Sequence, residues 1–182
     1  MTQRNKVSAV PLSPGRTLPE GHYSPAGART ALMKGILPPD SIVLNEFTLP
    51  DYAELKQRFI PQNFTIFGTF CIAGHPDFDY IESDFRVLQD EDEGGNFDAR
   101  DCPNLLTIGD RMRIAGDCNL SRCPKLTSIG ADAEVGGDLI LTDSPFVSFR
   151  GKIKVEGRIF LPRGFDITTL KDIFGINENI HF

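Results

Sequence analysis

The sequence contains no tryptophan, only three tyrosines, and no hydrophobic run approaching the roughly 18 apolar residues that cross a membrane. Its first 20 residues also lack the apolar core, at least about seven residues long, that a cleaved secretory leader needs. We therefore expect no membrane association and a cytoplasmic location, in which the four cysteines remain reduced thiols. A non-cleaved N-terminal signal for export into a host cell is the alternative.

The fingerprints of common cofactor and nucleophile sites are missing as well. There is no P-loop, no dinucleotide-binding glycine pattern, no G-x-S-x-G and no H-E-x-x-H. The cysteines and histidines do not follow the C-x-x-C or H-x-x-x-H spacing of zinc sites. The sequence therefore predicts a protein without a cofactor, a metal site or catalytic residues. A cysteine-dependent enzyme is the less favoured alternative.

Charge is unevenly distributed along the chain. Residues 1–40 carry five basic and two acidic side chains, for a net charge of +3, whereas the whole chain carries −6. The remaining 142 residues therefore carry −9, which argues against nucleic acid as their ligand, because phosphate binding requires clustered Lys and Arg.

The N-terminal 40 residues are rich in proline. They contain six of the thirteen prolines of the chain, and such a composition buries too little apolar area to offset the entropy cost of ordering. We predict a disordered arm over 1–40 that can be removed without loss of the fold. A short, transient helix is predicted inside it, with Ser24 as N-cap, Pro25 at its first position and Gly35 at its end.

An internal repeat dominates the second half of the chain. It reads CPNLLTIGDRMRIAGDCNLSR in residues 102–122, CPKLTSIGADAEVGGDLILTD in residues 123–143 and SPFVSFRGKIKVEGRIFLPR in residues 144–163. The pattern extends upstream to residue 62, with one 27-residue coil at 75–101 whose extra length we assign to the acidic run 90–93. Each coil places apolar residues two and four positions after a glycine, as in a strand with one buried face.

Stacked coils of this kind bury a continuous core, so the repeat predicts a solenoid. The spacing of Leu120, Cys123 and Leu126 resembles the L-x-x-(N/C)-x-x-L stretch of leucine-rich repeats, in the short degenerate form found in bacterial and bacteriophage proteins, including secreted effectors. The resemblance covers residues 62–164. It implies about five coils of 20–21 residues with one parallel β-sheet face, and the alternative is a β-helix-like solenoid such as that of bactofilins.

Four segments follow from this pattern. They are the arm at 1–40, an N-terminal cap at 41–61, the solenoid at 62–164 and a C-terminal cap at 165–182. We expect a strand at 42–49 and a helix at 51–59 in the first cap, and a helix at 166–175 in the second, because Leu170, Ile173 and Phe174 have helical spacing.

One polar position recurs at the start of each coil and is occupied by His75, Cys102, Cys123 and Ser144. Stacking would place these side chains in one column, about 5 Å apart. A metal site or a Cys–His nucleophile pair is one interpretation. We prefer a structural ladder, because the resemblance implies that this position turns inward and hydrogen-bonds loop backbone.

Residues that alternate with the buried pairs are expected to line the outer strand face. Toward the C-terminus these become Asp117, Asn119, Asp138, Ile140, Arg158 and Phe160. Ile140 and Phe160 would then form an apolar patch, which is typical of contact sites. We therefore predict a monomeric, non-catalytic protein-binding module. A structural protein that polymerises through the ends of the solenoid is the alternative.

Overall fold

A computed structural model describes residues 20–49, 54–90, 94–145, 148–165 and 180–181. Within these ranges the chain forms a parallel β-solenoid of about six turns with three sheets. Sheet A contains β1 (His22–Tyr23), β2 (Ile42–Leu44), β5 (Thr65–Phe67), β8 (Arg86–Leu88), β11 (Arg113–Ile114), β14 (Ala133–Val135) and β17 (Ile153–Val155).

The other two sheets complete each coil. Sheet B contains β3 (Phe47–Thr48), β6 (Phe70–Cys71), β9 (Phe97–Asp98), β12 (Cys118–Asn119), β15 (Leu139–Ile140), β18 (Ile159–Phe160) and β19 (Ile180–His181). Sheet C contains β4 (Phe59–Ile60), β7 (Tyr80–Ile81), β10 (Thr107–Ile108), β13 (Ser128–Ile129) and β16 (Ser148–Phe149). A full coil passes through sheets C, A and B in that order, and every strand pair is parallel.

The predicted solenoid is therefore confirmed, but its leucine-rich-repeat form is not. We expected about five coils with one strand each, whereas the structure has about six turns and three strands in a full coil, which fits the β-helix-like alternative. The strands of sheets A and C are two or three residues long. Sheet B strands are equally short, but they were expected because apolar residues recur two and four positions after a glycine, and no such pattern marks the strands of sheets A and C.

The corners between sheets explain how such short strands follow one another. The position two residues before β2, β5, β8 and β11 is occupied by Asp40, Asn63, Asp84 and Arg111, whose φ lies between 58° and 63°. Asn and Asp tolerate this left-handed conformation better than other non-glycine residues. At Asn63, Asp84 and Arg111 this conformation turns the chain from sheet C into sheet A in successive coils, and at Asp40 it precedes the first coil's β2.

Close stacking at that corner requires glycine. A Cβ at Gly109 would lie 2.6 Å from the backbone nitrogen of Ser83 and 2.7 Å from the carbonyl carbon of Glu82 in the coil before. Since real Cβ atoms do not approach backbone so closely, any side chain here would push neighbouring coils apart.

The core is built of side-chain columns that run along the solenoid. In the N-terminal coils it is aromatic: the rings of Phe47, Phe70 and Phe97 stack with centroids 5.4 and 5.5 Å apart. Cys118, Leu139 and Ile159 continue the same column, so the C-terminal half of the core is aliphatic. Apolar side chains three positions apart at sheet C, such as Leu105 with Ile108 and Leu126 with Ile129, are buried as well.

The long coil carries its extra residues where the acidic run lies. Phe97 in sheet B lies ten positions after Val87 in sheet A, whereas Phe70 lies four positions after Ile66 and Cys118 four positions after Ile114. The insertion therefore lies between β8 and β9. It leaves the register of both sheets unchanged.

The N-terminal region differs from the predicted disordered arm over residues 20–40. Helix α1 (Pro25–Lys34) forms there, with the Ser24 hydroxyl accepting from the Gly27 N–H at 3.2 Å and Gly35 ending the helix at φ 75°. Ala28, Ala31 and Leu32 are buried against the solenoid, and this burial stabilises the helix. Removal of residues 1–40 would remove this helix and is accordingly expected to destabilise the fold. The rest of the predicted arm, residues 1–19, lies outside the described ranges.

Two further expectations for the ends are corrected. The predicted strand at 42–49 is divided into β2 and β3. The predicted helix at 51–59 is wrong for its described part, because residues 54–58 are not helical and β4 begins at Phe59. The predicted C-terminal helix lies outside the described residues, and β19 pairs with β18 at the end of sheet B.

Candidate protein-binding face and buried polar column

Sheet B aligns the outward-facing positions of successive coils in one row. Cα partners across the strands join Cys71 to Asp98, Asp98 to Asn119, Asn119 to Ile140 and Ile140 to Phe160. The row changes from polar to apolar toward the C-terminus, as the sequence pattern had indicated. Ile140 and Phe160 therefore lie side by side.

These two apolar side chains are half-buried. The Arg158 guanidinium carbon lies 5.2 Å from the centre of the Phe160 ring, within cation–π distance. The same guanidinium donates to Asp138 Oδ2 at 2.8 Å. Four of the six predicted binding residues, namely Asp138, Ile140, Arg158 and Phe160, thus form one small apolar patch with an ion pair at its rim.

Two predicted binding residues also hold the coils together. Asn96 Oδ1 accepts from the Asp117 N–H, Asp117 Oδ1 from the Asp138 N–H, and Asp138 Oδ1 from the Arg158 N–H, each at 2.8 Å. Asn96 was not identified from the sequence as part of this ladder. The sequence does contain a signal for this ladder, because an Asn or Asp stands directly before the sheet B strand in three successive coils, at Asn96, Asp117 and Asp138.

Asn119 has a mainly local contact. Its Oδ1 accepts from the Ser121 N–H at 3.1 Å and from the Ser121 hydroxyl at 2.7 Å. Asp98 Oδ1 makes the equivalent contact with the Arg100 N–H at 3.2 Å. Such side chain–backbone bonds stabilise the turn that leaves sheet B, so Asn119 is fixed in position rather than free to adapt to a ligand.

The recurring polar position forms a buried column. His75, Cys102, Cys123 and Ser144 have relative exposures of 0 to 2%. The Cys102 thiol donates to the Ile72 carbonyl and the Cys123 thiol to the Ala99 carbonyl, each at 3.1 Å. Ser144 Oγ donates to the Leu120 carbonyl at 2.8 Å and accepts from the Cys123 N–H at 2.9 Å. His75 Nδ1 accepts from the Asp77 N–H at 3.2 Å.

These contacts give the column a structural role, because each side chain satisfies backbone groups of the turn. Burial raises the pKa of Cys102 to about 12 and that of Cys123 to about 11. Burial also raises the pKa of Cys118. A thiol must lose its proton to act as a nucleophile or metal ligand, so the environment of all three opposes both. Among the described residues no group of three or more His, Cys, Asp or Glu could hold a metal ion.

Alkylation of the native protein is expected to modify one thiol. Cys71 is half-buried on the outer row of sheet B, whereas Cys102, Cys118 and Cys123 are buried and protonated at about pH 8. Iodoacetamide followed by mass spectrometry should show modification of Cys71 alone, and of the other three only after denaturation. Rapid modification of Cys102 or Cys123 in the native protein would contradict their burial in the column and would favour the alternative of a cysteine-dependent enzyme.

Comparison with protein-family models, with curated proteins and with solved structures found no match. The likeness to bacterial and bacteriophage leucine-rich repeats therefore depends on the repeat motif alone. In the described part of the chain, no helix has the length and apolar character that a membrane span requires.

Proposed function

We propose that this protein is a non-catalytic protein-binding module whose contact surface is the C-terminal part of the outer face of sheet B. The observation that carries the proposal is the alignment of Ile140 with Phe160 on adjacent strands, next to the Asp138–Arg158 ion pair. Apolar anchors beside oriented charges are the arrangement that supplies affinity and specificity at protein interfaces.

The sheet provides a rigid base for this surface. Each coil is fixed to the next by strand pairing and by the Asn–Asp ladder. A partner therefore meets side chains whose positions are already set, which lowers the entropy cost of binding. Asp117 and Asn119 extend the surface toward the N-terminal coils and contribute specificity more than affinity.

The contacts of α1 favour this proposal over end-to-end polymerisation. The Arg29 guanidinium donates to the Thr48 carbonyl at 2.9 Å, at the strand that begins sheet B. The Gln57 N–H donates to the Leu32 carbonyl at 3.1 Å. Part of the N-terminal end is thus covered, whereas a polymer needs both ends open. A concentration-independent monomer in light scattering is expected, and polymers that lengthen with concentration would favour the structural alternative.

Truncation of Phe160 is the main test. Phe160→Ala should weaken binding by about 2 kcal/mol, the lower limit for a hot spot, because the ring is the larger apolar anchor of the patch. Its effect on stability should be much smaller, since the ring lies on the outer face. A partner captured by the wild-type chain can be titrated against both proteins by calorimetry, with thermal melts alongside.

The control is Arg122→Ala, which removes an exposed side chain from the corner after sheet B. Arg122 pairs with Asp101, and exposed ion pairs of this kind contribute little to stability. It should leave affinity and melting temperature nearly unchanged. Unchanged affinity for Phe160→Ala, with a large loss of stability, would show that Phe160 is a structural residue and would refute the proposed surface.

The biological setting is proposed from the repeat motif alone. Its likeness to repeats of bacterial and bacteriophage proteins suggests a prophage-encoded protein or an effector that acts on a host protein. Bacteriophage genes or secretion genes beside the coding sequence would support this setting. A position inside a metabolic operon would count against it.

A further inference from the structure

The outer face of sheet A carries large apolar side chains in the N-terminal coils. The middle residues of β2, β5 and β8, namely Val43, Ile66 and Val87, are buried in the core. The residue after each of them points to the opposite face of the sheet. These outward residues are Leu44, Phe67 and Leu88, and all three are half-buried. Contiguous apolar surface on the outside of a fold marks contact sites.

Strand pairing joins these side chains into one row. Leu44 is the Cα partner of Phe67, and Phe67 is the Cα partner of Leu88. Neighbouring strands lie about 4.8 Å apart, so the row is continuous. Ile42 lies two residues before Leu44 on the same face of β2 and is half-buried as well. We call the surface formed by Ile42, Leu44, Phe67 and Leu88 the sheet A patch.

The sheet A patch ends in the middle of the solenoid. The row continues in the next two coils at Ala115 and Gly136, whose N–H groups donate to the Val87 and Ile114 carbonyls, each at 2.9 Å. The other outward position of the sheet is charged from β8 onward, at Arg86, Arg113, Glu134 and Lys154. Small and charged residues thus confine the apolar surface to the N-terminal coils.

The strands that carry the patch lie in a negatively charged part of the fold. Strands β1, β2, β5 and β8 and their adjoining corners, residues 20–23, 40–48, 62–69 and 82–90, contain six acidic side chains and one basic side chain, a net charge of −5. The acidic residues are Glu20, Asp40, Glu46, Glu82, Asp84 and Asp90, and the basic residue is Arg86. Two arginines reach these strands from outside, since Arg111 pairs with Asp84 and Arg29 donates to the Thr48 carbonyl. With both arginines included the net charge is still −3.

Residues 1–19 have a composition that complements this surface. They contain three basic residues, Arg4, Lys6 and Arg16, and no acidic residue. Their apolar side chains include Val7, Val10, Leu12 and Leu18. A segment of this composition buries too little apolar area to fold alone. A preformed apolar surface of opposite charge supplies the burial and the charge pairing that it lacks.

The connection to β1 brings this segment to the patch. β1 is the first strand of sheet A and pairs with β2, so Glu20 lies at the edge of the sheet that carries the patch. Leu88 lies three strands beyond β1, about 14 Å across the sheet. Val10 precedes Glu20 by ten positions, and ten extended residues span up to about 33 Å. The linking chain is therefore long enough for Val10 to reach the whole patch.

We infer that the sheet A patch is an intramolecular docking site for residues 1–19 of the same chain. The apolar side chains of the segment, centred on Val10, pack on Phe67 and its neighbours in the row. Arg4 and Lys6 face the carboxylates around the patch, among which Glu46 is exposed two residues after Leu44.

The segment lies on the face of the sheet and does not extend its edge. Pro11 and Pro14 have no N–H, so a further strand next to β1 would lose ladder hydrogen bonds at both positions. Docking through side chains makes no such demand on the backbone. The site shares no residue with the patch around Ile140 and Phe160, so its success or failure is independent of the proposed function.

Hydroxyl-radical footprinting of the full chain tests the site through the segment. Val10→Asp and the double variant Arg4→Glu/Lys6→Glu leave the solenoid unchanged. Each should raise the oxidation of Phe67 and Leu88 at least about twofold over the wild type, because the centre of an interface excludes water. Oxidation of Phe160, which lies outside the site, should stay the same.

Two matched leucine substitutions test the site through the solenoid. Leu88→Asp places a carboxylate in the sheet A patch, whereas Leu106→Asp places one at a position that is 44% exposed, directly before β10. In nuclear magnetic resonance spectra of the isotope-labelled full chain, Leu88→Asp should shift the backbone signals of residues 4–12, and Leu106→Asp should not. Thermal melts show whether each variant is folded, and the segment variants decide the matter if Leu88→Asp is not.

Equal oxidation of Phe67 and Leu88 in the wild type and in both segment variants would overturn the proposal, because the segment would then not cover the patch. A sample that mixes labelled and unlabelled chains separates contacts within one chain from contacts between two chains. Nuclear Overhauser effects between residues 1–19 and the patch should arise within one chain. If they join a labelled chain to an unlabelled one, the patch binds a second copy and the intramolecular site is wrong.

Discussion

Leu139→Asp is expected to destabilise the fold by more than about 4 kcal/mol, a large part of the roughly 5–15 kcal/mol by which native domains are stable. Leu139 is 1% exposed and lies in the core column of sheet B between Cys118 and Ile159, both of which are also buried. A carboxylate at this position has no partner in the column and loses its hydration. Urea melts followed by circular dichroism measure the change in the free energy of unfolding.

Thr142→Asp is the matched control for this variant. Thr142 lies three residues further along in the turn after sheet B, it is partly exposed, and its carbonyl accepts from the Arg122 N–H at 2.9 Å. A change of its side chain leaves that backbone bond in place, so the cost should stay below about 1 kcal/mol. Equal effects of the two substitutions would show that the assignment of inward and outward positions is wrong.

Phe85→Ala is expected to cost about 3 to 5 kcal/mol, the usual range for a buried aromatic ring. Phe85 is fully buried, and its ring makes edge contacts with Phe70 and Phe97 at centroid distances of 5.9 and 5.0 Å. It also stacks on Phe64 at 6.4 Å. Removal of the ring leaves a cavity that these neighbours, each fixed in its own coil, cannot fill.

The control here is Leu106→Ala, which removes an apolar side chain that is 44% exposed. Its cost in a urea melt should be about 0.5 kcal/mol or less, because little buried area is lost. A small effect of Phe85→Ala, close to that of the control, would contradict the aromatic core of the N-terminal coils.

The sequence predicted the stacking because the repeat places matching residues one coil apart. Leu105 and Leu126 are buried, and the outer row from Cys71 to Phe160 aligns as expected. Sheets A and C were not predicted. Their strands depend on corners in the left-handed conformation, and residues as different as Asp84 and Arg111 occupy equivalent corner positions. Gly109 and Gly130 follow the sheet C strands directly, but a glycine alone does not indicate that a further strand begins a few residues later.

The helix at residues 25–34 illustrates a second limit of sequence analysis. Its cap residues Ser24 and Gly35 were identified correctly. Its stability was underestimated, because the helix packs against β1 and β2 and its Leu32 carbonyl accepts from the Gln57 N–H, and such tertiary contacts are not visible in the local sequence. The proline-rich composition around the helix favoured a prediction of disorder, so the burial of Ala28, Ala31 and Leu32 was not expected.

The candidate site was only partly accessible from the sequence. Alternation placed Ile140 and Phe160 outward, and the structure aligns them on adjacent strands. The ladder from Asn96 to Arg158 and the hydrogen bonds of Asn119 depend on distances between coils, which a sequence pattern does not contain.

Hydroxyl-radical footprinting of the protein with its captured partner tests the central claim most directly, since it reports the solvent access of individual side chains. If the C-terminal part of sheet B is the contact surface, oxidation of Phe160 and Ile140 should fall sharply on complex formation. Leu44 and Phe67 on the outer face of sheet A should then react as in the free protein. Unchanged oxidation of Phe160 and Ile140 in a complex that protects other residues would contradict the proposed binding face.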